Sequence, residues 1–160
     1  MRLALYEPDI PQNTGTIMRL AACLGVALDI IEPCGFLLSD KNLKRAGMDY
    51  LGQLDMVKHQ SWPAFQAAQA GRRIVLLTTK TDKSFLDFTF EANDILLAGR
   101  ESAGVPDGVH AACPARVTIP MAKGMRSLNV AIACSMVLSE ALRQTGGFSD
   151  LRNKTANGRE

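Results

Sequence analysis

Three separated stretches of the chain hold polar side chains where they could do chemistry. The first is Ile119-Pro120-Met121-Ala122-Lys123-Gly124-Met125-Arg126-Ser127-Leu128-Asn129-Val130-Ala131. It reads as a strand end, a glycine-bearing loop and the first turn of a long helix beginning near Ser127. A loop that feeds a helix N-terminus offers unpaired backbone N–H groups and the positive end of a dipole, which suits an anionic or polar ligand group. The second stretch, Gly99-Arg100-Glu101-Ser102-Ala103-Gly104-Val105-Pro106, follows an apolar run directly and offers a carboxylate that could act on a ligand or simply pair with Arg100. The third is Asn13-Thr14-Gly15 with Arg19 a little further on. Asn13 or Thr14 reads as a helix cap. Arg19 lies about 200° around the helix from Ile17, so it points away from the core.

Several familiar chemistries are not supported. The chain has no GxGxxG and no GxxxxGK[ST], so neither a dinucleotide site nor a P-loop is indicated. Gly99 to Gly104 spaces as G-x-x-S-x-G, one residue off a nucleophile elbow. The two histidines, His59 and His110, read as surface residues. The four cysteines form no CxxC pair, which points to free thiols in a reducing cytoplasm and to no metal site. Lys41, Lys44 and Arg45 would share one face of a short helix over residues 39–46, either a solvated face or an RNA contact.

The elements that must position these loops follow from hydrophobic periodicity. Apolar runs at 3–6, 26–31, 74–77, 94–98 and 117–119 predict buried strands, and 54–57 a weaker one. Ile17, Leu20, Ala21 and Leu24 mark the apolar stripe of a helix that Gly25 stops. Ser61 caps a helix with Pro63 in its first turn, and a last helix runs to about residue 144. Strands alternating with helices through short links predict an α/β domain with a parallel sheet flanked by helices. In such sheets ligands gather at the carboxyl ends of the strands. Leu77-Thr78, Ala98-Gly99 and Ile119-Pro120-Met121 are three such ends, each followed by polar or glycine-bearing residues. Taken singly each is a plain tight connection; together they predict a ligand cleft.

Bulk properties agree. A chain of 160 residues holds one domain and one sizeable core, assigned to residues 1–147, with a polar and flexible tail over 148–160. Hydrophobic residues at 47% and charged residues at 21% are ordinary for a globular protein. The net charge of +2 calls for no nucleic acid by itself but leaves room for local basic patches. No apolar run suits a signal peptide or a membrane span, so a cytoplasmic location without membrane contact is expected.

The three stretches, in this order, resemble the three motifs of the SPOUT RNA methyltransferases. The opening Leu5-Tyr6-Glu7-Pro8-Asp9-Ile10-Pro11-Gln12-Asn13-Thr14-Gly15 and the segment Ile31-Glu32-Pro33-Cys34-Gly35-Phe36 resemble the TrmL (YibK-like) branch. That resemblance implies methylation of the wobble ribose of tRNA, on cytidine or modified uridine, in the anticodon loop. It implies a C-terminal deep trefoil knot, a homodimer, and S-adenosylmethionine as methyl donor with no metal. Carried over, the cofactor would meet Leu77, Thr78, Gly99, Ile119, Met121, Ser127 and Leu128. Gly99 would allow its close approach. Arg19 would be the central catalytic residue, supported by Asn13, Glu101, Ser127 and Asn129, and Lys41, Lys44, Arg45 and Arg126 would contact RNA. The alternatives are a ribose methyltransferase acting on ribosomal RNA or another tRNA position, and a non-catalytic module that binds RNA or a nucleotide.

Overall fold

The computed structural model describes residues 1–37, 51–149 and 151. Six strands form one sheet: β1 Arg2–Tyr6, β2 Ala27–Ile31, β3 Met56–His59, β4 Ile74–Leu77, β5 Ile95–Ala98 and β6 Ala115–Val117. Their order is β3-β2-β1-β5-β4-β6, and every pairing is parallel. The helices are α1 Pro11–Cys23, α2 Trp62–Ala68, α3 Asp107–Ala112 and α4 Val130–Gln144.

Side chains on a strand alternate between faces, so a strand covered on both sides must be apolar throughout. β1 shows this directly. Leu3 and Leu5 join Ile17, Met18 and Ala21 of α1 and Cys134, Val137 and Leu138 of α4 in one cluster. Ala4 and Tyr6 join Phe65 of α2, Val109 of α3 and Cys113 just after it on the other face. The result is three layers, helices on both faces of a parallel sheet. Each fully buried leucine or isoleucine contributes about 1.5–3 kcal/mol, and Leu3, Leu28, Ile30, Leu96 and Leu97 are all at 0% exposure.

Several boundaries differ from the sequence expectation, each for a local reason. α1 begins at Pro11, two residues before Asn13, with Ile10 as its cap residue and no side-chain cap bond. Proline presets the helical φ and has no N–H to leave unpaired, so it starts the helix by itself. Asn13 and Thr14 therefore sit in the first turn, and the Thr14 hydroxyl donates to the Ile10 carbonyl at 3.2 Å. α4 begins at Val130, three residues after Ser127, because the side-chain oxygen Oδ1 of Asn129 accepts from the N–H of Ala131 and of Ile132. Ser61 does cap α2, accepting from the Ala64 N–H. Gly25 and Gly71 take positive φ just past their helices.

β3 lies two residues later than expected, and this corrects the reading of His59. The ring is at 6% exposure, with Nε2 2.7 Å from Asp29. Asp29 is fully buried on β2 and also accepts from Arg2 Nε at 2.6 Å and Gln69 Nε2 at 3.2 Å. A buried carboxylate requires such partners, and these tie β1, β2, β3 and the end of α2 together.

All four cysteines are unpaired. Among the described residues no helix is long and apolar enough to cross a membrane. The helix expected over 39–46 lies outside the described residues, as does most of the tail from 148 to 160.

Candidate active site

The parallel register lines up strand ends. Leu5 pairs with Ala98, Ala98 with Leu77, and Leu77 with Val117. The loops leaving β4, β5 and β6 at that level enclose a cavity of about 500 Å³. Its walls include Leu77 and Thr78 after β4, Gly99 and Glu101 after β5, and Ile119, Met121, Ser127 and Leu128 after β6, with Asn13 and Asn129 at the helix starts. Every residue the sequence assigned to a cofactor lines this one space. So do four of the five assigned to catalysis. The fifth, Arg19, is exposed on α1 and is not among the lining residues. Arg126 is exposed on the loop beside the cavity. Lys41, Lys44 and Arg45 lie outside the described residues.

Gly99, which lines the cavity, also has no room for a side chain on account of its other neighbour. A Cβ there would stand 2.6 Å from the Gly104 carbonyl carbon and 2.8 Å from its Cα. The close approach is made by the chain's own backbone. Arg100 and Gly104 exchange two backbone hydrogen bonds, 2.9 and 2.8 Å long, which close the loop after β5. Gly104 itself has φ +67°, a conformation that favours glycine.

Asn129 joins two elements. Its side-chain Oδ1 caps α4, and its side-chain Nδ2 donates to Asn13 Oδ1 on α1 at 2.9 Å. α1 and α4 also pack side by side. Glu101 is fixed by the loop before α1. Its N–H donates to Asp9 Oδ1 at 3.1 Å, and its Oε2 accepts from the Asp9 N–H at 3.2 Å. The Ser102 hydroxyl donates to the other Asp9 oxygen. Contact with Glu101 holds Asp9 below the usual carboxylate range. Burial first, and the contact with Asp9 second, push the Glu101 carboxyl up. Of the two, Asp9 ionises first. Below them Cys134 on α4 is pushed up to about 12 by burial and, less, by Glu101, so it carries no charge.

The sequence did not find Asp9, which lies 92 residues from Glu101; no local periodicity links them. Arg100 was a possible partner of Glu101 but binds Glu7, with its guanidinium 6.0 Å from the Tyr6 ring centre. His110, read as a surface residue, lines the cavity, and its Nε2 is buried without a hydrogen-bond partner.

Chemically the site offers apolar walls interspersed with hydroxyl, amide and carboxylate groups. Among the described residues no group of side chains could hold a metal. Comparison with known proteins identifies the arrangement. A tRNA (cytidine(34)-2'-O)-methyltransferase of Beijerinckia indica is 60% identical over 149 residues, covering 92% of this chain and 93% of its own. A solved structure reported as "Structural insights into the 2-OH methylation of C/U34 on tRNA" superposes with a TM-score of 0.84 at 43% identity, covering 89% and 94% of the two chains. The SpoU methyltransferase AviRb of Streptomyces viridochromogenes, solved with its cofactor AdoMet, has a TM-score of 0.76 at 30% identity, covering 90% and 60%. The expected SPOUT resemblance is thereby borne out. Residues 1–139 match the model of the SpoU rRNA Methylase family, so the chain belongs to this family.

Proposed function

We propose that the protein transfers a methyl group from S-adenosylmethionine to the ribose 2′-oxygen of the wobble nucleotide, position 34, of tRNA. The observation that carries this reading is the 60% identity, across 92% of the chain, to a tRNA (cytidine(34)-2'-O)-methyltransferase. The cavity suits the cofactor. About 500 Å³ is the size of a small-molecule site. Leu77, Ile119 and Leu128 offer apolar walls, and Thr78, Glu101 and Ser127 offer polar groups. These residues would hold S-adenosylmethionine, which when bound supplies an electrophilic methyl for in-line transfer and leaves as S-adenosylhomocysteine.

The chain's own residues position the reactants and remove one proton. Arg19 serves as an orienting cation for the ribose and adjoining phosphate and steadies the developing oxyanion. Glu101, once ionised, accepts the hydroxyl proton. Asn13 and Asn129 hold the starts of α1 and α4 in register beside it, and Ser127 completes the rim. Arg126, with Lys41, Lys44 and Arg45, meets tRNA phosphates.

The reading includes a homodimer. Ile132 and Met136 are exposed along α4 at 53% and 38%, and pairing of that face with a second copy brings Arg19 to a shared RNA surface that takes the anticodon loop. It also includes the C-terminal trefoil knot of the SPOUT branch and a cytoplasmic location, where tRNA and reduced thiols coexist.

The test is transfer of labelled methyl from S-adenosylmethionine to tRNA lacking its wobble methylation, with the labelled nucleotide mapped. Label at the ribose of position 34 is expected. Label on ribosomal RNA or at another position would move the substrate. Normal turnover by Arg19→Ala would remove Arg19 from the mechanism, and a lysine variant active with its pH profile displaced towards the lysine range would make that residue the base.

A further inference from the structure

Behind Glu101, which lines the cavity, stand two polar side chains that do not, Asp9 and Ser102. The three bracket the loop after β1 against the loop after β5. The Glu101 N–H donates to Asp9 Oδ1 at 3.1 Å, the Asp9 N–H donates to Glu101 Oε2 at 3.2 Å, and the Ser102 hydroxyl donates to Asp9 Oδ2. Asp9 is itself held by the loop after β2. The Gly35 N–H donates to the Pro8 carbonyl at 2.9 Å, and a Cβ on Gly35 would stand 2.9 Å from both Cα and Cβ of Asp9.

The same two loops are already tied next door, where Arg100 binds Glu7. That pair joins opposite charges, as a structural contact should. Asp9 and Glu101 instead bring two carboxyls together, and ionisation of one opposes ionisation of the other. The Ser102 hydroxyl and the Glu101 N–H both donate to Asp9, which settles the first charge there. Glu101 then keeps its proton to higher pH, through burial first and Asp9 second. The other groups that face it do less. Asn13 on α1 donates to it and favours its charged form, Cys134 on α4, pushed up to about 12, carries no charge, and Arg100 is taken by Glu7. Titratable pairs driven apart in this way mark acid–base sites. A raised carboxyl is a stronger base once ionised, and it must also be aimed.

We propose that Asp9 is a positioning residue: seated by Ser102, it orients Glu101 on the cavity wall and strengthens it as acceptor of the ribose proton. This deepens the functional reading above and rests on it. Glu101 takes the hydroxyl proton as the ribose oxygen bonds the methyl carbon, the carbon–sulfur electron pair staying with sulfur, and returns the proton to water after product leaves. Asp9, outside the cavity lining, acts only through Glu101.

The experiment is a double-mutant cycle on methyl transfer to tRNA, with S-adenosylhomocysteine affinity measured by calorimetric titration of each full chain. Asp9→Ala should lower kcat about tenfold to a hundredfold, with cofactor affinity and the KM for S-adenosylmethionine unchanged. In a Glu101→Gln background the same substitution should lower kcat no further, because the residue it acts through is gone. Asp9→Asn, an isosteric change, goes through the same cycle, so the answer does not depend on the alanine variant folding. It should lose less kcat than Asp9→Ala, show its acid limb at lower pH, and again add nothing beside Glu101→Gln. Ser102→Ala should lower kcat only where Asp9 is present. An equal loss from the Asp9 variants in both backgrounds would overturn the inference and leave the proposed function standing. So would a loss seen as weaker cofactor binding at normal kcat. Wild-type kcat in Glu101→Gln alone would overturn it together with the role given to Glu101, and a wild type that methylates no tRNA would remove both readings.

Discussion

Gly99→Ala is the sharpest perturbation of the site, because its effect can be worked from coordinates. The added methyl would lie 2.6, 2.8 and 2.9 Å from the carbonyl carbon, Cα and oxygen of Gly104. All three are backbone atoms, so no rotamer change relieves the contact. Either the overlap is tolerated as strain, or the loop opens and breaks the two Arg100–Gly104 hydrogen bonds. Overpacking costs about 1–3 kcal/mol and each bond about 0.5–1.5 kcal/mol. Either route places the loss at about 1–3 kcal/mol. For a chain of this size that lowers Tm by about 2–12 °C. The displaced loop carries Glu101, so affinity for S-adenosylhomocysteine and turnover should fall as well. Gly108→Ala is the control: its Cβ would meet nothing within 4 Å, and it lies in α3. Alanine suits a helix better than glycine, so that variant should melt at or slightly above wild type. A Gly99→Ala protein with wild-type Tm and affinity would refute the reasoning, since it would mean the loop after β5 is not held by this contact.

Three further outcomes follow from the same geometry. Asp9→Asn keeps an acceptor for the Glu101 N–H but removes the charge that helps Glu101 retain its proton, so the acid limb of the pH–rate profile should move to lower pH. The move is partial because burial, the larger cause, remains; an unmoved limb would take Glu101 out of the rate-limiting proton transfer. For stability the two shifts oppose each other. Asp9, depressed, contributes stability lost as pH falls through its folded value, and Glu101, raised, contributes stability lost as pH rises through its own. The rate profile is therefore the readout and the melt is not. Asn129→Asp keeps the cap of α4 but loses the amide that reaches Asn13, so turnover should drop at nearly constant Tm, whereas Asn129→Ala should also lose about 1 kcal/mol of stability in a denaturant titration. Asp29→Ala strands Arg2 and His59 in the buried network and should cost about 3–5 kcal/mol by chemical unfolding, with cofactor affinity of the folded protein unchanged.

Much of this was legible along the chain. Short apolar runs bounded by glycine and proline specify strands buried on both faces, and the β-α-β rhythm specifies a parallel sheet, because parallel strands need a crossover. The strand ends then mark where a ligand sits, and Leu77, Thr78, Gly99, Ile119, Met121, Ser127 and Leu128 do converge there. Tertiary structure alone decided who touches whom. Asp9 meets Glu101, Asn13 meets Asn129 across 116 residues, and Arg100 takes Glu7 in place of its neighbour. Such pairs follow from the register of β1 on β5 and the packing of α1 on α4, which no local pattern encodes. His59 reads as surface among Lys58 and Gln60, yet a buried Asp29 on the next strand draws it inside. Gly99 shows both halves at once. Its type announces a close approach, and only the folded chain reveals that the neighbour is Gly104.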